Sequence, residues 1–249
     1  AQEEVPSNPV NEAVCQIGSN TYDSLAAAIA ACPESATGTT TIEMLKDYTY
    51  EPTEANTPMI IGEGRNIAIT SAAGATTPYK IINSTNNLRS IFSVDGGSSI
   101  TFLTIEINGG AGEGVEPKYN AMVQGSGTII LGDGTATPIF TNDESHRNDV
   151  IEHGGDNTPY FLDIKSAHIF GNTSLGDGDF PSIITAVSAD FKMSGGLIEN
   201  NKAAQVLYLG PTSLSVMKLS GGTITNNIIV SSAPDAECGA LFYESMDTN

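Results

Sequence analysis

The chain reads as an all-β protein: a right-handed parallel β-helix, or solenoid, closed at its N-terminal end by one short capping α-helix. Three observations predict this. The stretch Phe191-Lys192-Met193-Ser194-Gly195-Gly196-Leu197-Ile198-Glu199-Asn200-Asn201 returns as Met217-Lys218-Leu219-Ser220-Gly221-Gly222-Thr223-Ile224-Thr225-Asn226-Asn227, and Gly221 follows Gly195 by 26 residues (221 − 195), within the range of solenoid repeats. Each copy is a short alternating strand, a Gly-Gly corner, a second strand around Ile198 or Ile224, and an Asn-Asn stop. Such a unit buries nothing alone and must stack on its neighbours. Period-two apolar patterning recurs along the chain, as in Asn66-Ile67-Ala68-Ile69-Thr70 and Ser99-Ile100-Thr101-Phe102. The composition agrees, since 26 Gly, no Trp and 6% aromatics suit a narrow core of stacked aliphatic side chains.

Residues 1–11 are polar, with Pro6 and Pro9, and read as an extended lead-in. Ala13 to Ile17 reads as a strand, Gly18-Ser19-Asn20 as a turn, and Asp23 as the N-cap of a helix over Ser24 to Ala31. Leu25, Ala28, Ile29 and Cys32 fall at i, i+3, i+4 and i+7, which makes one apolar face, and Pro33 stops the helix. A helix placed ahead of a solenoid covers the open end of the core and blocks edge pairing of the first rung. Lead-in, strand and helix form one unit, residues 1–38, and coils fill 39–249.

The first coil opens with Thr41 to Leu45 and Asp47 to Tyr50. Met59-Ile60-Ile61, Asn66 to Thr70 and Tyr79 to Ile82 follow, then Ser90 to Val94 with Ser99 to Asn108, then Ala121-Met122-Val123, Gly127 to Leu131 and Pro138 to Asn142. After an insertion come Tyr160 to Ile164 and Ala167 to Phe170. Ile183 to Val187 opens the coil of the first Gly-Gly motif and Val206 to Leu209 that of the second. Cys238 to Tyr243 opens a coil that is not completed, so the expectation is a β-helix truncated at this end, its last rung covered by further chain or by a partner. Three segments exceed what a corner needs, Gly109 to Asn120, Asn142 to Thr158 and Leu175 to Pro181, and binding residues gather on such insertions.

Ten Lys plus Arg against 29 Asp plus Glu give a formal charge of −19. Such a surface repels nucleic acid and anionic lipid, and disfavours a polyanionic substrate unless a metal or a local basic patch intervenes. No apolar run reaches the length of a membrane span, and Ala1 to Asn11 lacks the basic and apolar regions of a signal peptide, so the chain reads as a mature or excised segment with no membrane insertion within it.

The richest loop is Asn142 to Asp156. It gathers Asp143, Glu144, His146, Arg147, Asp149, Glu152 and His153, the candidate ligand-binding residues, although a solvated polar loop is the competing reading. Asp177 and Asp179 in Leu175-Gly176-Asp177-Gly178-Asp179 resemble the start of a calcium loop, which makes Ca²⁺ the one cofactor suggested; the bidentate Glu that completes a helix-loop-helix site is missing. Cys15 and Cys32 flank the N-terminal element and either pair as a disulfide in a secreted protein or pack as small buried thiols. Glycosidase chemistry needs two carboxylates across the sugar bond, and Asp95, Asp133, Asp163 and Asp190 are available for it on adjacent rungs. No catalytic residue is assigned, because no Gly-x-Ser-x-Gly, Walker or Rossmann pattern occurs. The pairs Asn200-Asn201 and Asn226-Asn227 suit a side-chain amide ladder better than a glycan site. Asn83-Ser84-Thr85 and Asn172-Thr173-Ser174 are sequons that matter only if the source glycosylates secreted proteins.

Ile17-Gly18-Ser19-Asn20-Thr21-Tyr22-Asp23-Ser24-Leu25-Ala26-Ala27-Ala28-Ile29, followed by Thr41 to Asp47, resembles the opening of large surface proteins of gut Gram-positive bacteria. Those proteins continue with Met-Ser-Gly-Gly-x-Ile-x-x-Asn repeats, which Met193 to Asn201 and Leu219 to Asn227 match. The Gly-Gly-x-Ile element is also similar to the repeats of chlamydial polymorphic outer-membrane proteins. The resemblance implies a right-handed β-helix and, since such families are mainly adhesins, a non-catalytic secreted or cell-surface domain presenting loops to a host protein or glycan. It carries no shared catalytic residues. The expectation is a monomeric adhesin-like rod; the alternatives are a carbohydrate-active enzyme or glycan-binding module on the same scaffold, and a structural spacer.

Overall fold

Strands from successive coils stack in parallel into four sheets, here called A to D, with seven each in A, B and C and four in D; an antiparallel N-terminal hairpin adds two more strands to A, nine in all. This is the parallel β-helix that the repeat predicts, with about six turns. The structure, a computed structural model, describes residues 12–52, 57–145, 150–154, 160–174, 181–187, 189–210, 216–230 and 239–243.

Register, more than strand length, organises the core. In sheet A the inward column runs Ile42, Ile69, Phe102, Leu131, Ile164, Met193, Leu219, one residue per coil. In sheet B it runs Tyr48, Ile81, Ile107, Phe140, Ile169, Ile198, Ile224. Each side chain lies over its counterpart at the strand spacing of about 4.8 Å, and full burial of one Ile, Leu or Phe contributes about 1.5–3 kcal/mol. Phe92, Phe102 and Phe140 meet edge to face across the lumen, with ring centroids 5.4 Å apart in both contacts. Met217 and Leu219 of the last coil are 40% and 45% exposed, whereas Phe191 and Met193 above them are buried.

The N-terminal cap is more than a helix. Cys15–Ile17 and Asn20–Tyr22 form an antiparallel hairpin around Gly18, which takes a φ of 59° at the turn. Cys15–Ile17 also pairs antiparallel with Thr40–Met44, so a strand covers the first coil's edge and the helix covers its core. The helix spans Leu25–Ala31 with Leu25, Ala28 and Ile29 buried. Its N-cap is Ser24, not Asp23: the Ser24 hydroxyl accepts from the Ala27 N–H at 3.2 Å, and Ser24 keeps extended backbone angles. Cys32 ends it, donating its N–H to the Ile29 carbonyl at 3.1 Å before Pro33.

The disulfide considered for Cys15 and Cys32 is not formed; both are buried free thiols. Each sulfur turns to a backbone carbonyl instead, Cys15 to Ser24 at 3.7 Å and Cys32 to Ala28 at 3.3 Å. Burial pushes the Cys15 thiol up to about 12, reinforced by Cys32 and Asp23, and also raises Cys32 against the pull of Arg65.

The two glycines of each repeat do different work. A Cβ on Gly195 would collide with the Lys165 carbonyl oxygen of the preceding coil, so this position is set by close approach. Gly196 has a φ of +91°, and a Cβ there would also lie 2.8 Å from the Ala167 oxygen. Gly221 and Gly222 repeat the arrangement one coil later.

Two outcomes follow from this packing. Gly196→Ala is expected to cost more than Gly74→Ala in urea denaturation, because Gly74 has a similar φ of +93° but no atom within 4 Å of a built Cβ. Gly74→Ala isolates the backbone cost, roughly 1–2 kcal/mol, and Gly196→Ala adds the collision. Alkylation with iodoacetamide followed by peptide mapping should leave Cys15 and Cys32 unmodified in the native protein and modify both after denaturation.

Candidate functional site

The corner between sheets B and D carries a polar ladder. Asn142, Gly171, Asn200 and Asn226 occupy equivalent turns with φ of 58°, 67°, 55° and 52°, which explains the first residue of each Asn pair. The second residue builds the ladder. Asn201 Oδ1 accepts from the Asn172 N–H at 3.1 Å and from its Nδ2 at 2.9 Å. Asn227 Oδ1 accepts from Asn201 N–H and Nδ2, both at 3.0 Å. Asn172, Asn201 and Asn227 also donate Nδ2 to strand carbonyls, those of Phe140, Ile169 and Ile198. Asn172 is a sequon asparagine, as is Asn83, and both are buried with their side-chain amides engaged, so the folded protein presents neither for glycosylation.

Asp143 heads this ladder, donating its backbone N–H to Asn172 Oδ1 at 3.1 Å. It puts a carboxylate where the next three coils have a carboxamide, and a carboxylate has no N–H to give. Its Oδ1 is buried with no hydrogen-bond partner among the described residues. Burial pushes the Asp143 carboxyl up to about 8 against the opposing pull of Lys118, with Glu144 adding to the rise. Lys118 is itself buried; its Nζ donates to the Ser84 carbonyl at 2.9 Å, and burial lowers its pKa while Asp143 opposes. The Lys118 N–H donates to the Glu144 carbonyl at 2.7 Å, and Lys118 bridges to Ser145, which pairs with Ser174.

The described residues of the expected ligand-binding loop are divided between the core and two sheets. Asp143 is core, Glu144–Ser145 is a strand of sheet D, and Ile151–Gly154 is a strand of sheet C. His146, Arg147 and Asp149 lie outside the described residues, as do Asp177 and Asp179. His153 faces inward and is fully buried, in the column Val94, Gly125, His153, Ala186, Leu209. Small residues above and below make room for its ring. Its Nε2 lies 2.6 Å from the Gly127 carbonyl oxygen, and burial lowers its pKa against that hydrogen bond.

Glu152 points outward, and around it lies the candidate site. A cleft of about 340 Å³ opens on sheet C between Asn120, Gln124, Glu152 and Thr185, with Gly125 and Gly154 in its wall. Gln124, Glu152 and Thr185 are in register on three successive strands. Gln124 is held from behind: Arg89 Nη1 donates to Asn120 Oδ1 at 2.8 Å, and Asn120 Nδ2 donates to Gln124 Oε1 at 3.0 Å. Sequence reasoning singled out Glu152 and His153 but missed Asn120, Gln124 and Thr185, which have no shared motif.

Three of the four acidic residues considered for catalysis, Asp133, Asp163 and Asp190, have side-chain partners. Asp133 Oδ1 accepts from the Ala136 and Thr135 N–H groups at 2.7 and 2.8 Å, which hold its carboxyl below the usual range. Asp190 accepts from the Val216 N–H at 2.9 Å, and Asp163 pairs with Lys165 at 3.7 Å. Among the described residues no group of three or more His, Cys, Asp or Glu is placed to hold a metal ion, and no helix is long and apolar enough to cross a membrane. No family model, curated protein or solved structure matches the chain.

Asp143→Asn is expected to stabilise the protein at neutral and higher pH. The unfolded carboxyl ionises near 3.8 and the folded one near 8, so between these values the unfolded state binds fewer protons and rising pH favours unfolding. The variant escapes that loss. Denaturation at pH 8 should show a gain on the order of 1–3 kcal/mol over the parent, shrinking towards zero at pH 4.

Proposed function

We propose that the protein is a non-catalytic, adhesin-like rod of the Gly-Gly-x-Ile β-helix surface type, secreted or displayed at a cell surface, and that it engages a host glycan or protein through the sheet C cleft. One observation carries the reading: the cleft is a concavity built on paired strands, where the side chains of Gln124, Glu152 and Thr185 lie beside Val187 and the Gln124 carboxamide is held in place by Arg89 and Asn120. Preorganised polar groups in a concavity are what a binding site requires. Glu152 is the one carboxylate among the described residues lining it, whereas glycoside hydrolysis requires two. On the outward face of sheet A, Asn66, Ser99 and Thr128 form one row, and Thr41, Ala68, Thr101, Ile130, Asp163 and Lys192 form another.

The test is retention of neutral and acidic glycans and of extracellular host proteins on the immobilised chain, with released products followed by mass spectrometry. Retention without products is expected, and Thr185→Arg, which fills the cleft from an outward position, should abolish it. Released sugar products would overturn the non-catalytic reading, and retention indifferent to Thr185→Arg would remove the cleft from it.

A further inference from the structure

We infer that the outward face of sheet A carries a binding site of its own, a basic patch built from Lys192 and Lys218 with Ser194 and Ser220, and that it takes an acidic sugar, one bearing a carboxylate or a sulfate. The patch lies on a different sheet from the cleft and stands whether or not the cleft binds.

The 26-residue repeat builds the patch. Phe191-Lys192-Met193-Ser194 returns as Met217-Lys218-Leu219-Ser220, ahead of each Gly-Gly corner. Core packing accounts for Phe191 and Met193, close approach for the glycines, and the amide ladder for the asparagines. Packing asks nothing of the lysine or the serine, which point away from the core. Lys192 pairs in register with Lys218, about 4.8 Å away along the sheet. Ser194 and Ser220 are held in line by the same backbone bond, the Ser194 N–H to the Ile164 carbonyl and the Ser220 N–H to the Met193 carbonyl, both at 2.9 Å. Both serines and Lys218 are exposed.

Charge decides the ligand class. Like charges directly opposite on neighbouring strands destabilise a sheet, and no carboxylate among the described residues lies within ion-pair distance of either lysine. The two nearby acids have other partners: Asp163, in register with Lys192, pairs with Lys165 at 3.7 Å, and Asp190 accepts from the Val216 N–H at 2.9 Å. Lys192 Nζ rests 4.0 Å from the centre of the Phe161 ring, which positions the ammonium without neutralising it. In a chain with 29 acidic residues against 10 basic ones, such a lysine pair is completed by an anion. Screening leaves only charges within about 8–10 Å effective at physiological salt. A nucleic-acid duplex or a lipid surface extends far past that range and meets the acidic remainder of the chain, whereas a sugar unit or two stays over the lysines. The serine hydroxyls beside them give and accept hydrogen bonds, as sugar hydroxyls require.

Titration calorimetry and ¹⁵N-resolved NMR of the whole chain, with uronic and sulfated oligosaccharides beside neutral ones of the same length, test this. An acidic oligosaccharide should bind, shift the amides of Lys192, Ser194, Lys218 and Ser220, and lose affinity as salt is raised. Lys192→Gln and Lys218→Gln should each weaken it about three- to fivefold, the size of an exposed ion pair, and the double variant about tenfold. Lys218→Gln should not lower stability in urea, since it removes a like-charge pair and no core contact. Lys46→Gln, which takes one positive charge from the N-terminal end of the solenoid, should leave binding unchanged. Binding at the patch should also survive Thr185→Arg, which separates it from the cleft. The inference falls if no acidic sugar binds at low salt, if neutral oligosaccharides give the same shifts, if an acidic peptide binds the patch and no acidic sugar does, or if acidic-sugar binding is indifferent to the double variant. None of these outcomes touches the cleft.

Discussion

The vertical registry of one coil on the next is the constraint on which the rest of this structure depends. Each coil exposes a ring of backbone N–H and C=O groups that only another coil, in register, can satisfy, and a slip by one residue would turn every inward side chain outward. The aliphatic columns reward correct registry but tolerate small shifts. The ladder through Asn172, Asn201 and Asn227 does not, because each carboxamide must reach both a backbone N–H and a side-chain amide of its neighbours. The Gly-Gly corners act in the same direction, since the coils approach closely enough there to exclude a Cβ.

Seen this way, Lys118 and Asp143 are the ladder's irregular end. Below them the corner interior holds Asn172, Asn201, Ser174 and Ala203, which are neutral. At Asp143 a carboxylate replaces the carboxamide, and a lysine ammonium is buried nearby, bound to the Ser84 carbonyl. Burial drives both groups towards their neutral forms. A change to Asn at position 143 gives this coil the neutral carboxamide that the next coils already carry.

The outer surface inherits its chemistry from the same registry. Gln124, Glu152, Thr185 and Tyr208 form one row only because their inward neighbours, Val123, Ile151, Ile184 and Leu207, form one column. The cleft is thus a by-product of core packing, and its geometry is as rigid as the coils beneath it. Gly125 contributes twice, clearing room for the buried His153 ring and opening the wall of the cleft.

What the sequence by itself determined is local or repetitive. The 26-residue echo of Phe191 to Asn201, the alternating strands and the apolar face of Leu25, Ala28 and Ile29 each need only neighbouring residues to be read. The roles of the two glycines and two asparagines of the repeat were legible because left-handed backbone and amide stacking leave a residue-type signature. The hairpin of Cys15–Ile17 with Asn20–Tyr22 was not, since three-residue strands carry too little pattern. Nor was the burial of Asp143 and His153, polar residues in a polar stretch whose direction is set by the coil beneath. The cleft was the least legible. Gln124, Glu152 and Thr185 are separated in sequence by 28 and 33 residues (152 − 124 and 185 − 152), so no single period connects them. Corner insertions of unequal length change the count from coil to coil, while hydrogen bonding between strands restores the alignment in space, and only the tertiary structure decides which side chains become neighbours.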